Sequence, residues 1–216
     1  MKLALLTIGQ SPRKDVYEDI GYLLKDIDFI ERGALDGLSK DFIRRRLTPK
    51  PGEDFYVTRL RDGTEVKVSK KLIEERIRNL IMEIEDKVDL IVVLCTGDFE
   101  IKSKKPVLLP SKVIMEIVRA LSPRKLGILV PLHDQIRMAY RRWCKLIKNI
   151  VIQAWSPYSG NVNSLKEIAK KIKDVDVMVM DCIGYSTVHG RIVKDIIKKP
   201  TLIPRVIALS IATSMV

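Results

Sequence analysis

The sequence contains no apolar run near the roughly eighteen residues that a membrane-spanning helix requires, which excludes an integral membrane protein with helical spans. Its apolar opening, Met-Lys-Leu-Ala-Leu-Leu-Thr, is too short for a signal peptide and lacks a small-residue cleavage site, so it reads as a first buried strand. Cysteine is scarce, with three residues and no Cys-x-x-Cys spacing. That excludes a disulfide framework and a structural zinc site, and makes a reducing cytoplasm the expected compartment. Asp98 and Glu100 have no histidine cluster beside them, so no metal is expected. Aromatic residues amount to 6% and do not interleave with the basic runs as in an RNA-binding surface, so nucleic acid is not an expected partner. Glutamine (three) and asparagine (four) are few, while Lys, Glu, Arg and Ile abound. This bias resembles hyperthermophile composition and accounts for part of the lysine excess without a polyanion.

What remains is a chain of 216 residues, 46% hydrophobic and 31% charged, large enough for a sizeable core. Its net charge of +12 suits an anionic ligand, but the basic residues are dispersed. The short runs at 44–46 and 102–105 read as solvated faces.

Apolar strands are expected at residues 3–7, 90–94, 125–130, 150–154 and 177–180, with a short one near 29–31. Between them the pattern predicts helices over about 13–25, 72–84, 134–147, 163–172 and 187–198, a basic helix around 44–46, and an apolar helix over 204–215. Ser11 is placed to cap the first helix, with Pro12 at its start. In the helix from Asp134, residues Ile136, Tyr140, Trp143 and Ile147 are expected to face inward. Residues 55–68 alternate around Asp62-Gly63, the signal of a hairpin with a two-residue turn. Strand–helix alternation with unbroken apolar strands predicts an α/β fold with parallel sheets.

The two halves look duplicated. Asp89-Leu-Ile-Val-Val-Leu-Cys95-Thr-Gly97 aligns with Asp176-Val-Met-Val-Met-Asp-Cys182-Ile-Gly184, and Pro106-Val-Leu-Leu-Pro110 with Pro200-Thr-Leu-Ile-Pro204. The strand beginning Lys2-Leu3 aligns with that beginning Lys125-Leu126. Cys95 lies 92 positions after Leu3 but Cys182 only 56 after Leu126, and the 36-position excess matches an insertion that includes the hairpin. Two lobes are therefore expected, 1–121 with the insertion and 122–216, related by a pseudo-twofold axis. The helices after Pro110 and Pro204 are expected to tie the lobes together, the C-terminal one packing back on the first.

In parallel α/β lobes ligands bind beyond the C-terminal ends of the strands. Cys95 and Cys182 fall there in equivalent places, where two thiols could move a proton on and off a carbon; inert packing is the competing reading. Cys144, beside Trp143 within a helix, reads as structural. The turn Gly9-Gln10-Ser11-Pro12-Arg13 opens a helix and could hold an anion, although it is neither a P-loop nor a dinucleotide fingerprint. His133 follows the first strand of the second lobe, and Tyr185 and Ser186 follow Cys182. His189 reads as a surface residue.

The segments Thr7-Ile-Gly-Gln-Ser-Pro-Arg13-Lys-Asp15, Leu94-Cys-Thr-Gly97, Asp181-Cys-Ile-Gly-Tyr-Ser186 and Pro106-Val-Leu-Leu-Pro110 resemble the AroM family over essentially the whole chain. That family's name links it to aromatic amino-acid biosynthesis and fixes no reaction. More distantly, the chain resembles the aspartate/glutamate racemase superfamily. That resemblance implies two flavodoxin-like lobes, a cleft between them, two cysteine acid/bases and no cofactor. Residue by residue, Cys95 matches the first racemase cysteine and Cys182 the second. The Asn-Thr that usually follows the first is Thr96-Gly97 here, and the Thr-His after the second is Ile183-Gly184. The acidic residue of the racemase opening loop has no counterpart, and Gln10-Ser11 occupies its region.

The expected function is thus that of a cofactor-independent racemase or isomerase for a small anionic carboxylate. Cys95 and Cys182 form the catalytic pair in this reading. Gln10, Ser11, Arg13, Thr96, Gly97, His133, Gly184, Tyr185 and Ser186 contact the ligand. Binding or sensing of an anionic metabolite without turnover is the second expectation. The apolar tail (Ile207, Leu209, Ile211, Met215) is expected to pack on a lobe or in a homodimer.

Overall fold

The continuous apolar segments form two separate parallel sheets in a computed structural model that describes residues 1–216. The chain divides into two compact units, 1–110 with 208–216, and 111–207.

In the first unit, β1 (Lys2–Thr7) and β2 (Asp28–Gly33) are followed by the hairpin strands β3 (Phe55–Arg59) and β4 (Glu65–Ser69), then by β5 (Leu90–Leu94) and β6 (Val107–Leu108). The sheet order is β2-β1-β5-β6, with every pairing parallel, while β3 and β4 pair only with each other. Thr7 lies opposite Gly33 on one side and Leu94 on the other, so the three long strands end level. The loops that begin at Ile8, Ala34 and Cys95 therefore leave the same edge.

The second unit holds β7 (Leu126–Val130), β8 (Ile150–Ala154), β9 (Val177–Met180) and β10 (Thr201–Leu202), all parallel, in the order β8-β7-β9-β10. This is the topology of the first sheet with β7 in the place of β1 and β9 in the place of β5. The duplication read from the sequence is a duplication of architecture.

Helices cover the sheets. In the first unit these are α1 (Lys14–Ile20), α2 (Lys40–Arg46) and α3 (Lys70–Ile84). Ser69 caps α3, whose Ile73, Ile77, Ile81 and Ile84 recur at helical spacing and join Ile91 and Val93 in the core. The second unit uses α4 (Pro110–Leu121), α5 (Ile136–Trp143), α6 (Val162–Lys171) and α7 (Thr187–Ile197). Ile114 and Val118 of α4 pack with Leu126, Ile128 and Val130, and so belong with the second sheet. The last helix, α8 (Pro204–Thr213), starts in the second unit and its residues from Ala208 onward count with the first. Ala208, Leu209 and Ala212 are buried, whereas Met215 is exposed.

Several local expectations are corrected. The first helix starts at Lys14 without a side-chain cap, because the Ser11 hydroxyl donates to Asp36 instead, and it passes into a 3-10 turn at Gly21–Leu24. The hairpin does not turn on two residues. The Leu60 amide pairs with the Thr64 carbonyl and the Gly63 amide with the Leu60 carbonyl, leaving a three-residue loop, Arg61-Asp62-Gly63. Gly63 has φ +87°, the left-handed conformation that this longer loop demands. The helix expected from Asp134 begins as a 3-10 turn, His133–Gln135, and α5 ends at Trp143. That phase buries Ala139 and Trp143 and turns Tyr140 out to 52% exposure.

Candidate active site

In the first unit, Cys95 directly follows β5 and is 8% exposed. Its chain reverses at once: the Cys95 amide donates to the Val93 carbonyl at 2.7 Å, and the Gly97 amide donates to Cys95 Sγ at 3.3 Å. An amide aimed at sulfur favours the thiolate over the thiol. Gly97 is needed because the ring of Tyr56, from the hairpin, fills the space over it. An added Cβ would lie 2.6 Å from two ring carbons. The Tyr56 hydroxyl donates to Glu74 Oε1 at 3.0 Å and its ring packs on Phe99. Thr96 is buried beside it.

The loop after β1 is held from both sides. Gln10 donates to the Leu38 carbonyl at 3.1 Å and accepts the Arg61 amide at 2.9 Å. The Ser11 amide and hydroxyl both donate to Asp36, and the Ser11 carbonyl accepts from the Arg61 guanidinium. Arg13 is 3% exposed; its Nε and Nη2 donate to the two Asp15 oxygens at 2.8 Å each, and its Nη1 to Thr7 Oγ1 at 3.2 Å. The Arg13 amide also donates to Glu31. Burial pushes the Glu31 carboxyl above its ordinary range despite that amide, and burial together with the Glu31 charge pushes the neighbouring Tyr17 phenol up. The hairpin thus lies across the C-terminal edge of the sheet, touching the loops that follow β1, β2 and β5.

The second unit repeats the sulfur geometry. Cys182 is 8% exposed, its amide donates to the Met180 carbonyl at 2.8 Å, and the Gly184 amide donates to Cys182 Sγ at 3.3 Å. An added Cβ on Gly184 would lie 2.6 Å from the Tyr158 ring and 2.7 Å from Pro157. Tyr185 is fully buried, stacks on Trp155 and donates its hydroxyl to the Trp155 carbonyl at 2.7 Å. Ser186 caps α7: its hydroxyl accepts the His189 amide, while His189 Nδ1 accepts the Ser186 amide. His189 is thus no free surface residue, and its ring meets Trp155 edge-on at 4.9 Å. His133 is exposed in the turn after β7. Asp181 points away from Cys182 and accepts from Arg142 and from Trp143 Nε1, the latter at 2.8 Å.

Gln10, Ser11, Arg13, Thr96 and Gly97 thus lie in loops that leave the same edge of the first sheet as Cys95, and Gly184, Tyr185 and Ser186 follow Cys182 beyond β9 of the second. The hydrogen-bonding groups of Arg13 and Tyr185, expected to meet ligand, are engaged inside their units. Sequence reading missed Arg205. It is 1% exposed and donates from Nε to the Ile183 carbonyl and from Nη2 to the Gly184 carbonyl, each at 2.8 Å. The one available signal is its place directly after Pro204, which ends the second Pro-x-Leu-x-Pro segment. Cys144 ends α5 with its sulfur 3.6 Å from the Arg141 carbonyl. No group of three or more His, Cys, Asp or Glu side chains is assembled for a metal ion, and no helix is long and apolar enough to cross a membrane.

Comparison with solved structures returns the same fold along the whole chain. The maleate isomerase Iso from Pseudomonas putida S16 matches with TM-score 0.64 at 13% identity, over 100% of this chain and 92% of that one. The allantoin racemase from Klebsiella pneumoniae matches with TM-score 0.61 at 12% identity, over 100% and 87%. The Picrophilus torridus aspartate racemase matches with TM-score 0.57 at 12% identity, over 99% and 95%. No curated protein matches the sequence. The chain has the Asp/Glu racemase-like fold, and the model of the AroM protein family matches residues 3–216. It belongs to the AroM family.

Proposed function

We propose that this protein is a cofactor-independent enzyme of the racemase–isomerase kind, acting on a small carboxylate by proton transfer at Cys95 and Cys182. The observation that carries this reading is the repeated sulfur geometry: each thiol ends the equivalent strand of its unit and receives the amide of the glycine two residues on. Packing alone would not require the same donor to be aimed at both sulfurs. The racemases and the isomerase that share the fold suggest the reaction class.

In the reaction one cysteine begins as thiolate and removes a proton from carbon, while the other begins as thiol and delivers one. Activity then follows a bell in pH. Thr96, Gly97, Gly184 and Ser186 line the two thiols, and His133 contacts the ligand from the second unit. Gln10, Ser11 and Arg13 serve the carboxylate through the loop they stiffen, and Tyr185 holds the loop after Cys182.

Incubation in heavy-water buffer with a mixed pool of amino, hydroxy and shikimate-pathway acids, followed by mass spectrometry, tests the proposal. One compound should gain deuterium with the intact protein and not with the Cys95→Ala, Cys182→Ala double variant. Exchange that survives the double variant rules out the cysteine mechanism. No exchange, together with a compound that raises the melting temperature, assigns the protein to binding or sensing of an anionic metabolite.

A further inference from the structure

We infer that Arg205 is a positioning residue that stabilises the thiolate of Cys182. The inference rests on the proton-transfer reading above for its meaning, but its geometry stands alone. The peptide between Ile183 and Gly184 faces two ways. Its carbonyl accepts from Arg205 Nε at 2.8 Å, and its N–H donates to Cys182 Sγ at 3.3 Å. A cation on the carbonyl of an amide polarises that amide and strengthens its N–H as a donor. The next carbonyl, of Gly184, takes Arg205 Nη2 at 2.8 Å, so the guanidinium fork fixes the whole turn that aims the donor. A formal positive charge therefore stands one peptide away from the sulfur, and it is 1% exposed, with little water to screen it.

Asp181, next in sequence, forms an ion pair with Arg142 and accepts a hydrogen bond from Trp143 Nε1. Tyr158 covers Gly184, Tyr185 is hydrogen-bonded to Trp155, and His189 accepts the Ser186 amide at Nδ1. The apolar packing of Cys182 against Met180 and Trp155 opposes ionisation, and the guanidinium–peptide–sulfur relay offsets it.

Alkylation by iodoacetamide across pH 5 to 9.5, read peptide by peptide, measures this without any substrate. Wild-type Cys182 should show a lower midpoint than Cys144. In Arg205→Gln the Cys182 midpoint should rise by about one unit, roughly a tenfold loss of thiolate at low pH, with Cys95 and Cys144 unmoved. Arg205→Lys, which keeps the charge but not the fork, should fall between. A Cys182 midpoint unchanged in a folded Arg205→Gln variant overturns the inference. If that variant does not fold, a wild-type Cys182 midpoint at or above that of Cys144 overturns it instead. Loss of deuterium exchange with these midpoints as expected would sink catalysis and leave the Arg205 assignment standing.

Discussion

Replacing Gly97 by alanine tests whether the hairpin sets the geometry of the first cysteine. The new methyl would sit 2.6 Å from Cε1 and Cζ of Tyr56 and 2.7 Å from its hydroxyl oxygen. Carbon atoms in contact prefer about 3.5–4.0 Å, so roughly an ångström must be found. The ring has little room to give it. Tyr56 is 4% exposed, lies 5.3 Å from the Phe99 ring centroid and is anchored to Glu74. Overpacking of this kind costs about 1–3 kcal/mol. In a Tyr56→Leu background the clashing ring atoms are gone, and the same substitution should cost less than about 0.5 kcal/mol. Urea denaturation of the four proteins of this cycle gives the coupling. Additive costs would refute the claim that the ring and the glycine share one space. A second readout is chemical: the Gly97 amide donates to Cys95 Sγ, so displacing it should slow alkylation of Cys95 at fixed pH and leave Cys182 unaffected.

Asp181→Ala removes the acceptor shared by Arg142 and the buried Trp143 Nε1, and should cost about 1–3 kcal/mol in denaturant titration. A loss below about 1 kcal/mol would show that solvent screens the pair. Ser186→Ala should cost about 1 kcal/mol and speed hydrogen exchange at the His189 amide, which it leaves without its acceptor. Glu85 is held below the ordinary carboxylate range, chiefly by the Lys104 amide and further by Ser103 and the Lys104 ammonium. Because its folded pKa is the lower one, its stabilisation is present at neutral pH and is lost as pH falls through the acid range. Wild type and Glu85→Gln should therefore differ most near neutrality and converge only as pH falls below the ordinary carboxylate range; a gap that stays constant would contradict the assignment.

Much of the fold was legible because central parallel strands are apolar on both faces. For that reason the expected bounds at 90–94 and 177–180 coincide with β5 and β9, and with them the two cysteines that follow; the half-buried edge strand β8 also matches its expected bounds, 150–154. β6 and β10, two residues each, are too short to carry any period. The helix after His133 was misjudged because a 3-10 start shifts the phase of everything behind it, which is why Tyr140 faces water. His189 reads as a surface residue from sequence because a capping box ordinarily shows Glu or Gln at that place, whereas here an imidazole nitrogen accepts the same bond. Arg13 and Arg205 mark the sharper limit. Both are helix-start arginines, and only three-dimensional placement shows one tied to Asp15 and the other buried on two carbonyls.

The two units also show which part of the duplicated design is constrained. The connection from β2 to α3 carries the inserted hairpin, and the corresponding connection from β8 to α6 is a short loop. They share little sequence, yet each delivers a tyrosine to the same place, Tyr56 over Gly97 and Tyr158 over Gly184. Glycine at those positions leaves room for a ring, and the ring in turn fixes the turn whose amide reaches the sulfur. Two different pieces of chain thus solve one packing problem. A drifting duplicate would keep whatever packed well; these two keep the amide-to-sulfur bond and change the material around it. That pattern supports the shared chemical role proposed for the two thiols over inert packing.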